Sequence, residues 1–408
     1  MNIAIDFPTW VVSLLLIFIL AWLVQLVFQL VIWLAPLRHA RRQRASAINF
    51  AEGVQPGVSI LVYSHNQAQA LARNLPVLLN QNYPNYEVIV MDDYSRDDTQ
   101  DILSMMDQRS DRLFHTRIDE KARAMSHRKL AVYLGSKLAH YDLLLMTRAE
   151  CMPASADWVS GMVRHFANPA TEVVLGPVVY ERRSSFLSRF CQFDLFERLL
   201  WLFGVTLGVK AYSGWGQNLA FRKNTFYANR SQGYQRHLKI QPGEDDLFVA
   251  DVARQDNVAV EMQASSVMTD QSKPLFIGWA IERLNRAFTS RLYAWQPAAL
   301  RVADRVTRYL TVLPGLSLIG YAIYLFIAMP QTHLASASVL LGVALLLLLI
   351  RLGVMLYTYS ATAKALNQRP LLSWPVFLEL YMPLVDIWFR CKALMRKKRF
   401  GVSRIGLQ

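Results

Sequence analysis

Cysteine is scarce in this sequence: Cys151, Cys191 and Cys391 are the only three in 408 residues. They share no paired spacing, which excludes a disulfide framework and a cysteine-based zinc site. Charge is missing altogether from two long stretches. Residues 7–37 contain no Asp, Glu, Lys or Arg, and neither do residues 309–350. A helix of roughly 20 apolar residues crosses the hydrocarbon core of a bilayer, and the stretch from Trp10 to Ala35 exceeds that. The second stretch is interrupted at Pro330-Gln331-Thr332-His333, which reads as a turn between two spans. The pattern predicts transmembrane helices near 10–34, 310–329 and 335–358. The first lacks a basic leader and has too long an apolar core for a secretory signal, so it reads as a retained anchor. Internal repeats and low-complexity tracts are absent too.

Acid is missing beside the spans. Arg38, Arg41, Arg42 and Arg44 follow the first one, and Arg390, Lys392, Arg396, Lys397, Lys398, Arg399 and Arg404 end the chain. Together they supply most of the +14 net charge. Basic flanks mark the cytosolic side and attract anionic lipid, whereas a nucleic-acid-binding protein spreads its charge over a folded face. Nucleic acid is therefore not an expected partner. The predicted organisation is a transmembrane anchor at 1–37, a basic juxtamembrane linker at 38–57 and a cytosolic unit at 58–305. Two further spans fill 306–360, and an interfacial amphipathic helix with a basic tail fills 361–408. The location that follows is an inner or plasma membrane. Arg351, near the cytosolic end of the third span, is expected to snorkel. Three spans around a large insert offer no transport pathway.

Within the middle unit, Val58–Tyr63 is a β-branched run that ends in the polar turn Ser64-His65-Asn66-Gln67. A helix-spaced segment, 68–80, follows. A second strand, Tyr86–Met91, ends at Asp92-Asp93, and a third, Asp142–Met146, ends at Thr147-Arg148-Ala149-Glu150. Strands alternating with helices predict an α/β fold with a mostly parallel sheet. Ligands in such sheets sit beyond the carboxyl ends of the strands, and all three runs end in polar groups there.

The run from Val58 to Asn66, followed by Gln81-Asn82-Tyr83-Pro84 and Val90-Met91-Asp92-Asp93-Tyr94-Ser95-Arg96-Asp97-Asp98-Thr99, resembles family 2 of the inverting glycosyltransferases. The resemblance continues through 121–153 and 212–286. It implies a GT-A (nucleotide-sugar-binding, Rossmann-like) domain and a nucleotide-sugar donor, with UDP the expected carrier. It also implies that Asp93, supported by Asp92, Asp97 and Ser64, receives the nucleoside. In Ser126-His127-Arg128-Lys129, Arg128 and Lys129 stand where the family places a phosphate-binding lysine. A bland alternative for the acids is helix capping, and for the cations a solvated helix start.

One departure is informative. The family carries Asp-x-Asp at the third strand end to hold Mg²⁺ or Mn²⁺, and here Arg148 and Glu150 take those two positions. Three readings follow: Glu150 alone holds a metal with help from phosphates and water, Arg148 pairs with the diphosphate in place of a metal, or catalysis is lost. On the acceptor side, Gly214-Trp215-Gly216-Gln217-Asn218-Leu219-Ala220-Phe221-Arg222-Lys223 resembles the family strand that carries Trp215 and Asn218 to the acceptor. Gly243-Glu244-Asp245-Asp246-Leu247 resembles the segment bearing the catalytic base, which makes Asp245 the base and Glu244 the next choice. Arg286 matches the arginine of the processive members' Gln-x-x-Arg-Trp, which implies a donor-binding role on the nucleotide diphosphate, but Arg283 and Ala287 replace the Gln and Trp. The expectation is single sugar transfer to a lipid-linked or membrane-proximal glycan acceptor. A processive polysaccharide synthase and a catalytically degenerate nucleotide-sugar- or partner-binding protein are the alternatives.

Overall fold

The structure is a computed structural model and describes residues 7–45, 55–122, 126–228, 242–273, 275–328, 330–371 and 373–395. The basic residues expected at 396–404 lie outside the described residues. Among the described residues, ten strands form two sheets. The larger has the order β3-β2-β1-β4-β8-β6-β9, with β1 Val58–Ser64, β2 Tyr86–Asp93, β3 Leu113–Ile118, β4 Leu143–Arg148, β6 Val173–Leu175, β8 Leu219–Arg222 and β9 Val258–Val260. The smaller sheet joins β5 Cys151–Pro153, β10 Met268–Asp270 and β7 Val178–Tyr180.

β1 pairs in parallel with both β2 and β4, aligning Ser64 with Asp92 and Tyr63 with Arg148. Ile60, Leu61, Val62, Val88, Ile89 and Val90 are all fully buried, as expected for a sheet covered on both faces. Burial contributes about 1.5–3 kcal/mol per such side chain. The same alignment brings the polar strand ends to one edge. Helices α3 Ala68–Leu79, α4 Thr99–Asp107 and α5 His127–Leu138 connect the parallel strands.

Among the described residues, three helices are long and apolar enough to cross a membrane: Thr9–Ala45, Trp295–Ala328 and His333–Ala365. The first comprises α1 Thr9–Phe28, a π-helical stretch Gln29–Trp33 and α2 Ala35–Ala45. Residues 35–45, the first part of the expected 38–57 linker included, are thus helical. The second apolar helix begins at Trp295, inside the unit expected to run to 305. The expected turn at 330–333 is also displaced, because Pro330 opens the third helix, where a residue lacking N–H loses no hydrogen bond.

Arg351 does not snorkel. It is 5% exposed, donates to Gln25 Oε1 at 3.2 Å and pairs with both oxygens of Glu379. Glu379 comes from the tail, which folds back over the spans, and a charge pair of this kind replaces the water that snorkelling would seek. The tail itself is two helices, Ser373–Leu378 and Tyr381–Met395. Their acids, Glu379 and Asp386, turn inward onto arginines.

The α/β unit meets the first apolar helix through α7, Phe186–Gly208. A Cβ on Gly204 would lie 2.2 Å from the Ile32 carbonyl oxygen, so the two helices touch backbone to backbone there. Gly204→Val is expected to destabilise the protein by about 1–3 kcal/mol, the usual cost of overpacking. Thermal unfolding of the purified protein in detergent reads the shift. An unchanged midpoint would mean that the two helices separate freely.

Candidate active site at the carboxyl edge of the sheet

The loops after β1 and β2 are laced together. Asn66 has φ +52° and Tyr94 φ +44°, a left-handed backbone that non-glycine residues adopt only when held. The Asn66 N–H donates to Ser95 Oγ at 2.8 Å, and the Arg96 N–H donates to Asn66 Oδ1 at 2.8 Å. Asp97 accepts from the Ala68 N–H at 2.9 Å and from the Thr99 hydroxyl at 2.6 Å. Burial opposes its charged form, but these hydrogen bonds outweigh it and hold the carboxyl below its ordinary value. Asp97 therefore clasps the two loops to each other.

Asp93 lies on the open side of the clasp. Its carboxylate accepts from the Tyr63 hydroxyl at 2.6 Å and faces His127 Nδ1 at 2.6 Å. The Tyr94 ring stands edge-on between the His65 and His127 rings, with centroids 4.8 and 5.2 Å away. Asp92, fully buried, supports the loop by accepting from the Ser95 N–H at 3.2 Å and from Gln100. The hydroxyls of Ser64 and Thr147, at the ends of β1 and β4, are buried without a hydrogen-bond partner among the described residues. An orphaned buried hydroxyl costs about 1–3 kcal/mol, and a ligand with polar groups at this edge would remove that cost.

Beside it stands a knot of opposite charges. Arg128 Nη1 lies 3.3 Å from Glu244 Oε1, and Arg148 Nη2 lies 3.7 Å from the same oxygen. Burial disfavours the charged Glu244, but Arg128 and then Arg148 override it and hold the carboxyl below its ordinary range. A carboxylate clamped in this way is a poor proton acceptor, so Glu244 orders the two guanidinia instead. Lys129 does not share the position of Arg128. The ammonium is 0% exposed, and its electrostatic neighbours are Glu244, Asp246, Asp245 and Asp251. Burial lowers it to about 8. Lys129 falls on the buried stripe of α5.

Gly243 adopts φ +102°, and a Cβ there would lie 2.4 Å from Leu247 Cδ1, so only glycine makes this turn. The turn delivers Asp245 to the N-terminus of α9, Asp246–Val252. Its Oδ2 accepts from the Gly216 N–H at 2.8 Å and its Oδ1 from the Asp246 N–H at 2.7 Å. Gly216 follows Trp215, over whose ring the Arg286 guanidinium sits at 5.5 Å. Arg286 also pairs with Glu282 at 3.1 Å. Asn218, expected on the acceptor side, is instead a strut. It is 1% exposed, donates to the Pro177 and Ser266 carbonyls at 2.9 Å each, and accepts from the Trp158 indole at 3.0 Å.

Several residues of this site were given no role by the sequence, and Thr289, Tyr293 and Asp270 lie outside every quoted motif. Tyr63 and His127 hold Asp93, Tyr293 and Thr289 hold Asp246, and Gln217 donates to Asp270 at 2.8 Å. Asp246 is raised to about 6 by burial and then by Asp245. Asp270 is raised to about 6 by burial and then by Glu150. A carboxyl raised in the folded state contributes stability below its unfolded pKa and loses it as pH climbs through about 6. Asp246→Asn should therefore gain thermal stability on the parent between pH 5 and pH 7.5. Melting curves at both pH values test this, and parallel shifts would contradict it.

A divalent metal fits this donor set poorly. Glu150 lies on the turn between β4 and β5, and the adjacent Arg148 guanidinium would repel a cation; no three Asp, Glu, His or Cys side chains converge among the described residues.

A family model described as glycosyl transferase family 2 matches residues 59–206, from β1 into α7. No curated protein matches the chain. Among solved structures, the chain is similar to the mannosyltransferase PcManGT from Pyrobaculum calidifontis, in complex with GDP-Man and Mn2+. The identity is 18% and the TM-score 0.45, over 85% of this chain and 98% of that one. It is similar to S. aureus TarS 1-349 at 14% identity and TM-score 0.39, over 85% of this chain and 93% of that one. It is also similar to glucosyl-3-phosphoglycerate synthase from Mycobacterium tuberculosis in complex with Mn2+, UDP and glucosyl-3-phosphoglycerate. There the identity is 14% and the TM-score 0.40, over 62% of this chain and 82% of that one. The matched segment holds Ser64, Asp92-Asp93, Arg128 and Arg148-Ala149-Glu150, whereas Trp215, Asp245 and Arg286 lie beyond it. The stretch from β1 into α7 is thus similar to glycosyl transferase family 2.

Proposed function

We propose that the protein transfers one sugar, with inversion, from a nucleotide-sugar donor to a hydroxyl of a lipid-linked or membrane-proximal acceptor. The nucleoside sits against Asp93, Tyr63 and the orphaned Ser64 hydroxyl. Arg128 and Arg148 face the diphosphate and stabilise the charge that grows on it as the glycosidic bond breaks. Asp245 takes the proton of the attacking hydroxyl, and Trp215 with Arg286 flanks the acceptor. The observation that carries this reading is the Arg128–Glu244–Arg148 knot, with contacts of 3.3 and 3.7 Å, immediately before the Asp245 carboxylate. It sets cation and base side by side, as leaving-group stabilisation and proton removal require.

The α/β unit faces the cytosol in this reading, because Arg38, Arg41, Arg42 and Arg44 follow the first span directly. The altered Arg283 and Ala287 positions and only two spans after the domain favour single transfer over polymer synthesis. The test supplies UDP-, GDP- and dTDP-sugars to the detergent-purified protein with membrane lipid extract. Release of nucleoside diphosphate and the anomeric configuration of the product are then read by NMR. A retained anomer would sink the inverting mechanism. Binding of a donor without turnover under any condition would favour a degenerate binding protein.

A further inference from the structure

A second cleft opens on the far side of Trp215. A cavity of about 110 Å³ lies between Trp215 and Arg286 on one wall, the foot of the Trp295–Ala328 helix on another, and the tail helix Tyr381–Met395 on the third. Its lining holds five arginines and one carboxylate, Asp386. That carboxylate already meets Arg283, Arg301 at 3.5 Å and Arg305. For Arg390, on the tail helix, no ion pair is recorded among the described residues. Arg283 is 6% exposed, and its Nε is buried without a hydrogen-bond partner among the described residues. Burial and the nearby Arg301 hold the Arg390 guanidinium below its ordinary value. Asp194 and Glu282 pair with Arg198, Arg283 and Arg286, so the guanidinia left short of an acid are Arg390 and Arg301, which shares Asp386. An anion with several oxygens would meet these two through charge-assisted hydrogen bonds.

The surroundings specify what carries the anion. Val302 on the span, and Leu384, Ile387 and Trp388 on the tail helix, are 52–55% exposed. An apolar surface of this kind, beside the foot of a span, suits acyl or isoprenoid chains. The base at Asp245 adds a constraint from chemistry. A phosphate oxygen is already ionised near neutral pH and needs no base, whereas a hydroxyl does. The group at Asp245 is therefore a hydroxyl, and the phosphate stands behind it.

Resting on the transferase reading above, we propose that the acceptor is a membrane lipid whose hydroxyl-bearing headgroup is joined through a phosphate, and that Arg301 and Arg390 seat that phosphate. Seating it makes and breaks no bond. It fixes the distance from the bilayer to the hydroxyl that meets Asp245.

The test uses the full chain in detergent micelles, with hexadecyl phosphate as probe and hexadecanol as its uncharged counterpart. Native mass spectrometry counts bound lipid, and tryptophan fluorescence follows occupancy, since Trp201 and Trp215 line the cleft. The phosphate should bind about tenfold more tightly than the alcohol, as expected for a guanidinium–phosphate contact. Arg390→Gln and Arg301→Gln should each weaken it about fivefold or more, while Arg390→Lys, which keeps the charge, stays within about twofold. Equal binding of the alcohol would overturn the proposal. So would unchanged affinity in both Gln variants at unaltered melting temperature, or displacement by inorganic phosphate at equal concentration, which would mark a free-anion site. Donor binding is measured in parallel on the same samples. If no nucleotide sugar binds the parent, the transferase reading falls, while the lipid-phosphate result stands on its own contrast between probe and alcohol.

Discussion

Asp245→Asn is expected to lower turnover by about a thousandfold, within the usual range for losing a general base, while donor affinity changes by no more than about threefold. Asparagine keeps the shape and one acceptor oxygen, so either the Gly216 or the Asp246 N–H, now 2.8 and 2.7 Å from the carboxylate, stays bonded. What disappears is the capacity to take a proton. Glu244→Gln should behave differently. It frees Arg128 and Arg148 from a shared partner at 3.3 and 3.7 Å, so its main cost falls on the donor's KM. Nucleoside diphosphate release under saturating donor separates the two effects. An Asp245→Asn variant retaining more than about a tenth of parental turnover would remove Asp245 from the base role.

The second large effect concerns Arg148. In the parent, turnover should survive EDTA within about twofold, because fixed guanidinia already supply the charge that a metal would bring. Arg148→Ala should lose about a hundredfold or more, the scale found for deleting one electrostatic stabiliser of a transition state. Arg148→Asp would set two carboxylates, at 148 and 150, on the same turn, a donor set that suits Mg²⁺ or Mn²⁺ with phosphate oxygens and water. That variant should recover activity above Arg148→Ala only when Mn²⁺ is added. Complete EDTA inhibition of the parent would instead make Glu150 a sufficient metal ligand and reduce Arg148 to a neighbour.

The polar edge of the sheet was legible because its signal is local. A β-branched run ending in a polar turn predicts both a strand and the place where chemistry collects, and the register Ser64–Asp92 and Tyr63–Arg148 follows from parallel pairing of those runs. The inward turn of Lys129 was also open to reading. With Ser126 as cap, positions 129, 132 and 135 form one stripe of α5, and that stripe is buried. By contrast, Asp194 meets Arg283 across 89 residues and Arg283 meets Asp386 across 103, separations at which local pattern carries no information. The same holds for Arg351 and Glu379, and for Tyr293 on Asp246, which only tertiary folding brings together. Asn218 resembles a ligand-binding residue in sequence and serves as a strut because three partners converge on its amide.

The backbone contact between Gly204 and Ile32 turns the anchor into a ruler. A catalytic unit tethered by a slack linker samples many heights above a bilayer and reaches acceptors of many lengths. One pressed directly against its own span works at a single height. With the membrane-proximal acceptor proposed above, acceptors would then be sorted by how far their reactive hydroxyl stands from the lipid surface, before any side chain inspects which sugar they carry.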